Sequence, residues 1–288
     1  MLPQYHLILQ DQDPLPAYGL KLLLSFLERS PDIIHTVVNQ KLLLTMSQVL
    51  QAHTDRVDRG MVLSMVGLLD CLVSAKDVDV SSLYDQGLID SLVLVFADVA
   101  STQNDENDAS VAMLLPLLDS LNNTLKYVSR EVRKALQAKS EPGPESEAQT
   151  QLAEKLLVES KPLVDMTGVL INYLCHEDLD VRDSSCRCLY LMVELFGGIY
   201  EDSLSTENME CFAEALSTAD VKKQKQLLRI IKRLISSNSP HSDADENSWQ
   251  GFIDVLQGLM NTNNSASTEE AAVQGLVQEI LVKLGLTK

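Results

Sequence analysis

Aromatic residues are scarce in this chain: one Trp, five Phe and seven Tyr among 288 residues. β-Strands recruit aromatic and β-branched side chains, so the shortage weighs against a sheet-based core. Glycine and proline are thin as well, twelve and nine, too few to punctuate many short strands. The five cysteines (Cys71, Cys175, Cys186, Cys188 and Cys211) are odd in number and irregularly spaced, which argues against a disulfide framework. No uncharged apolar run of about 18 residues occurs, so no membrane-spanning helix and no membrane partner are expected. The opening MLPQYHLILQDQD lacks a basic leader and its apolar stretch is too short for a signal peptide. These gaps together point to a reducing, cytoplasmic setting.

Positive charge is short too. Twenty-three Lys and Arg face 41 Asp and Glu, a net −18. A polyanion repels phosphate backbones, so nucleic acid is not expected as a partner. The excess is spread along the chain, −7 over residues 1–136, −2 over 137–150 and −9 over 151–288, so no acidic tail accounts for it.

Contiguous catalytic motifs are missing as well. Phosphate-cradling loops need glycines at fixed spacing, yet neither GxxxxGK[ST] nor GxGxxG occurs. Kinase chemistry needs a metal-holding DFG and a base in HRD, and neither tripeptide is present. Cys186 and Cys188 are the closest candidate metal pair. Two residues apart on a helix, they diverge by roughly 200°, so one is expected inside and the other toward a neighbouring helix or water. Cys175–His176 is expected at a turn, and the five histidines (His6, His35, His53, His176, His241) are scattered one per segment. No catalytic residue, cofactor, metal or small-molecule substrate is expected.

What the chain has in plenty is leucine, a good helix former. Its apolar residues recur. Residues 20–50 laid over 66–96 match at a constant offset of 46: Leu22 and Leu23 meet Leu68 and Leu69, Phe26 meets Leu72, and Val37 meets Leu83. Leu42, Met46, Val49 and Leu50 then meet Leu88, Leu92, Val95 and Phe96. Only the apolar positions persist, as expected when a buried face is kept and a solvent face is free. A second register, 40 residues long, sets Phe212–Leu216 over Phe252–Leu256. Periods of about 40–47 belong to armadillo and HEAT repeats. The expected fold is all-α, an armadillo/HEAT-type α-solenoid, a right-handed superhelix of helical pairs. The C-terminal pairs are expected at 163–175 with 179–196, 206–217 with 220–236, and 248–260 with 268–284.

Punctuation supports these limits: Ser30–Pro31, Ser205-Thr206-Glu207 and Ser267-Thr268-Glu269 at helix starts, Gly197–Gly198 and Gly285 just past helix ends. Gly87 is expected at a sharp bend between two helices. The expected organisation is N-terminal repeats over 1–136, a flexible linker over 137–150 (polar, with two prolines and a glycine) and C-terminal repeats over 151–288. Thr102–Ser110 and Ser236–Asn247 are expected as solvated loops. Whether 111–136 is one helix or two stays open, because Pro116 and Asn122–Asn123 are both potential breaks. Trp249, the single tryptophan, is expected as a packing anchor.

One surface stands apart. Between Val221 and Ile235 lie six basic residues and no acid. Lys222, Lys225, Arg229, Lys232 and Arg233 fall within an arc of about 100° on a helical wheel, opposite Val221, Leu227, Leu228, Ile230, Ile231, Leu234 and Ile235; Lys223 lies off the stripe. In such stacks one helix of each repeat lines the groove where extended partners lie. The stripe therefore reads as a docking site for an acidic peptide or a tubulin-like tail. The other reading is a solvated face whose charges pair with acids of the preceding repeat, such as Glu207, Glu210 and Glu214. Both stay open on the sequence.

Two segments, SLYDQGLIDSLVLVFADVA from Ser82 and ENMECFAEALSTADVKKQKQLLRIIKRLI from Glu207, resemble the C-terminal armadillo/HEAT-type repeat region of the family of the fourth unc-fifty-one-like kinase. The resemblance implies that longer members carry an N-terminal pseudokinase domain, whose nucleotide-binding residues match no position here. It also implies protein partners, including a Fused-type kinase, and ciliary or cytoskeleton-associated roles. The reading is a non-catalytic scaffold that binds other proteins.

Overall fold

The computed structural model describes residues 4–12, 14–52, 59–75, 78–101, 109–138, 143–198, 200–237, 249–261 and 268–286. Among these there are fifteen α-helices and a few short 3-10 turns, with no strand. His53, His241 and Ser267, with most of the two expected loops, lie outside the described residues. The chain divides into two compact units, residues 1–163 and 164–288.

The first unit holds α1 (Tyr5–Leu9), α2 (Leu15–Arg29), α3 (Ile34–Asn39), α4 (Leu42–Ala52), α5 (Arg59–Ser74), α6 (Val80–Tyr84), α7 (Leu88–Ser101), α8 (Ala109–Ala138) and α9 (Pro144–Glu159). Contacts run α1 to α4 to α7 in one row and α2 to α5 to α8 to α9 in another. That is a two-layer stack of helical pairs. The tertiary contacts repeat at nearly the sequence period. Ser47 on α4 hydrogen-bonds Ser91 on α7, 44 residues away. Gln86 donates from its side-chain amide to the Val38 carbonyl, 48 away, and Asn123 on α8 donates to Ser74 on α5, 49 away.

α2 approaches α5 closely at Gly67, where a Cβ would stand 2.9 Å from Leu24 Cδ2 and make that side chain shift. Gly87, at φ 82°, turns the chain from α6 into α7, a conformation costly for residues with a Cβ.

The α8 stretch is one helix of 30 residues with Pro116 inside it. A proline removes one backbone donor and crowds the turn before it. Leu114, Leu117, Leu118 and Leu121 are fully buried on either side of it, and that burial holds the helix through the break. Residues 137 and 138 end α8 and residues 144–150 open α9, so helix occupies much of the stretch read as a linker; residues 139–142 lie outside the described residues. The polar composition misled because Glu145 and Glu147 face water, and the first buried residues of α9 are Ala153 and Leu156.

The second unit holds α10 (Thr167–Asn172), α11 (Leu179–Phe196), α12 (Thr206–Thr218), α13 (Val221–Ser237), α14 (Gln250–Asn261) and α15 (Thr268–Lys283). One row is α10, α12, α14; the other is α11, α13, α15. The starts of α11, α12 and α13 are fixed locally. Asp178 Oδ1 accepts from the Asp180 and Val181 amides, and Ser205 Oγ accepts from the Asn208 amide. Asp220 Oδ1 accepts from the Lys223 amide at 2.8 Å, which starts α13. Such caps contribute about 0.5–2 kcal/mol each. Gly197, at φ 68°, ends α11. Trp249 is buried just ahead of α14, an anchor as expected.

Candidate protein-docking face

The stripe is built by the burial of its opposite side. Leu227, Leu228, Ile230, Ile231, Leu234 and Ile235 of α13 are all buried, each side chain contributing roughly 1.5–3 kcal/mol. Their spacing fixes the rotation of α13 and turns Lys222, Arg229 and Arg233 into solvent, with Lys225 and Lys232 half-buried at the edge. All five residues thus share one face.

The neighbours in the row meet α13 from its two sides. Lys223, off the stripe, reaches Asp183 of α11 at 2.7 Å, and this carboxylate holds the Lys223 ammonium above its ordinary pKa. Lys232 pairs with Glu279 of α15. Among the described residues no ion pair forms on Lys222, Lys225, Arg229 or Arg233. Glu207, Glu210 and Glu214 of α12 stand near the half-buried Cys211 and raise its pKa, though burial raises it more. These three acids form no ion pair with the stripe among the described residues.

At the C-terminal end the stripe opens into a cleft of about 390 Å3, lined by Arg229, Lys232, Arg233, Ser236, Ser237 and Leu276. Lys283 of α15 donates from its ammonium to Ser236 Oγ, and Ser236 Oγ donates to the Lys232 carbonyl. Sequence reading missed Leu276, Glu279 and Lys283. The available signal was an offset of 47, at which Lys232 meets Glu279 and Ser236 meets Lys283.

The cysteines form no cluster with a metal-binding geometry. Among the described residues, no group of three or more His, Cys, Asp or Glu side chains is placed to hold a metal ion. Cys186 and Cys188 are both buried, so of the two alternatives for the second cysteine, a neighbouring helix or water, the structure takes the neighbouring helix. The reason is that α11 is covered on more than one side, by α10 and by α13. Cys175 Sγ donates to the Cys211 carbonyl at 3.2 Å, and burial pushes the Cys175 thiol up to about 12. A thiol held protonated this way is a poor nucleophile. No described helix is long and apolar enough to cross a membrane.

With the geometry in place, the chain can be set beside known proteins. The family model described as "Serine/threonine-protein kinase ULK4-like, HEAT repeats" matches residues 1–35. The mouse (Mus musculus) serine/threonine-protein kinase ULK4 is 40% identical over 244 residues, 83% of this chain. The chain is a HEAT-repeat region of the ULK4-like kind. It spans 18% of the length of that mouse relative. Two engineered proteins of known structure superpose on it as well. One covers 99% of this chain and 96% of its own at a TM-score of 0.47 and 15% identity; the other covers 98% of each at 0.46 and 16%.

Proposed function

We propose that this ULK4-like repeat region is a non-catalytic scaffold for protein–protein interaction, and that the face of α13 docks an acidic peptide segment. One observation carries the reading. Lys222, Arg229 and Arg233 are solvent-facing on one stripe, with no acid between Val221 and Ile235 and no ion pair among the described residues. In a chain of net −18, such a stripe is matched by a partner of opposite sign. A Glu-rich tail of the tubulin kind has the right chemistry, and the likeness to the fourth unc-fifty-one-like kinase adds a Fused-type kinase and a ciliary or cytoskeletal setting to the proposal.

The test uses a fluorescein-labelled, Glu-rich peptide and fluorescence anisotropy. The triple variant Lys222→Glu, Arg229→Glu, Arg233→Glu leaves the Lys232–Glu279 pair intact. Binding by the native chain is expected to weaken steeply with added salt, because exposed charges are screened within about 8–10 Å. The variant is expected to lose at least ~10-fold in affinity. Equal affinity in a folded variant would overturn the docking face.

A further inference from the structure

We infer that the cleft closing the C-terminal end of the stripe is a phosphate site, which takes the phosphoserine or phosphothreonine of an acidic peptide lying along α13. This inference rests on the docking face proposed above and names what it reads.

Three cations line the cleft and a fourth is tethered to one of its lining residues. Arg229 and Arg233 are four residues apart on α13, so their guanidinium groups leave the same side of the helix about 5–6 Å apart at the Cβ atoms. Lys232 lines the same space. Lys283 of α15 stands at the rim, tethered by its hydrogen bond to the lining residue Ser236. A single carboxylate, Glu279, pairs with one of them, Lys232. Among the described residues no ion pair forms on either arginine or on Lys283. Three positive charges therefore stand unmatched by any carboxylate among the described residues. The negative end of the α13 dipole amounts to only about half a charge, too little to neutralise them.

The composition of the walls favours phosphate over carboxylate. A phosphorylated side chain brings roughly −1.5 to −2 charge and three acceptor oxygens on one atom, whereas Glu brings one charge and two oxygens. Two guanidinium forks one turn apart can each engage separate oxygens of such a dianion. Ser237 lines the same cleft, and Leu276 supplies an apolar wall where the methylene or methyl of the modified residue rests. The remaining cations, Lys222 and Lys225, lie one to three turns earlier on the helix and meet acidic residues that flank the phosphate. The stripe then divides by role, with Lys222 and Lys225 giving general attraction and Arg229, Arg233 and Lys283 giving selectivity.

The experiment uses the full chain and three labelled peptides of alternating Glu and Gly, identical except for a central Ser, phosphoserine or Glu. Anisotropy is read at constant ionic strength. The phosphoserine peptide is expected to bind ~10-fold more tightly than the Glu peptide. Arg229→Gln with Arg233→Gln is expected to abolish that preference while leaving weak binding of all three. Lys222→Gln with Lys225→Gln is expected to weaken all three alike and keep the preference. Both variants change surface residues, and circular dichroism verifies their folding.

Phosphoserine and Glu peptides that bind equally would overturn the phosphate site and leave the docking face standing. No binding of any peptide would remove both. Vesicles containing a phosphoinositide that outcompete the phosphopeptide, with the same dependence on Arg229 and Arg233, would also overturn the inference, by making the ligand a lipid headgroup.

Discussion

α8 in the first unit and α13 in the second each bury one leucine-rich face against neighbouring helices and turn a polar face outward, yet they treat charge differently. On α8, Glu131 accepts from Arg130 and from Lys134, each at 3.0 Å, and the Arg130 guanidinium lies 5.2 Å over the Tyr127 ring. On α13 the basic residues have no acid on their own stripe. The ion pairs that do form leave the helix sideways, to Asp183 and to Glu279. One surface pairs part of its charge within its own helix; the other has no acid along its stripe. The contrast teaches that the two helices share a folding role and differ in what their outer faces are available for.

The core half of that comparison is tested by Leu125→Ala on α8 and Ile231→Ala on α13, both fully buried. Each is expected to cost ~2–5 kcal/mol in urea denaturation. A loss confined to one helix would show that the two are not packed alike, and the comparison would fail at its base.

The next effect is alkaline. Burial raises the Cys186 and Cys175 thiols in the second unit from 9.0 to about 12, and raises Tyr5 in the first from 10.0 to about 12. A raised pKa means that the folded state keeps a proton the unfolded chain gives up. The stability is complete below the unfolded pKa and is lost as pH climbs to the folded one. Loss is therefore expected between about pH 9 and 12 for the cysteines and between about 10 and 12 for Tyr5. Circular dichroism across this range, on the native chain and on Cys175→Ala with Cys186→Ala, should show the variant's stability declining less between pH 9 and 10. Identical pH dependence would place the alkaline transition elsewhere.

The smallest effects are on the surface, where the two helices should diverge in sign. Glu131→Gln removes the acid shared by Arg130 and Lys134 and is expected to cost about 0.3–0.5 kcal/mol. Arg229→Gln with Arg233→Gln removes like charges and is expected to leave stability within ±0.5 kcal/mol or raise it slightly. A substantial loss from the arginine change would show that α13 needs those charges to fold, and would reduce the stripe to a structural feature.

How far the sequence reached depended on whether a signal was local. The 46-residue apolar register was legible because Leu68, Leu69, Leu83 and Leu92 are fully buried in the stack, and burial conserves chemistry at a fixed spacing. The face holding Lys222, Lys225, Arg229, Lys232 and Arg233 was legible for the same reason, from the apolar residues opposite. The continuity of α8 was not legible, because Pro116 is a helix breaker by its own chemistry and only buried leucines beyond its turn outweigh it. Nor was the start of α9, whose first two turns carry no buried residue to announce them. For Cys186 and Cys188 the wheel left a neighbouring helix or water open for the outer one, because one helical wheel cannot show that two neighbours cover the same helix.

The sequence by itself determined an all-helical chain of paired repeats, because helix propensity and apolar spacing act over a few residues. Only the tertiary structure decided which charges are matched. Lys223 meets Asp183 at a separation of 40 residues, while Lys232 meets Glu279 and Lys283 meets Ser236 at 47. Residues that far apart come together only when α11, α13 and α15 stack side by side, and the length of the connections between them sets the register. That register brings Lys283 to Ser236 at the end of the stripe, where no reading of α13 alone would have put it.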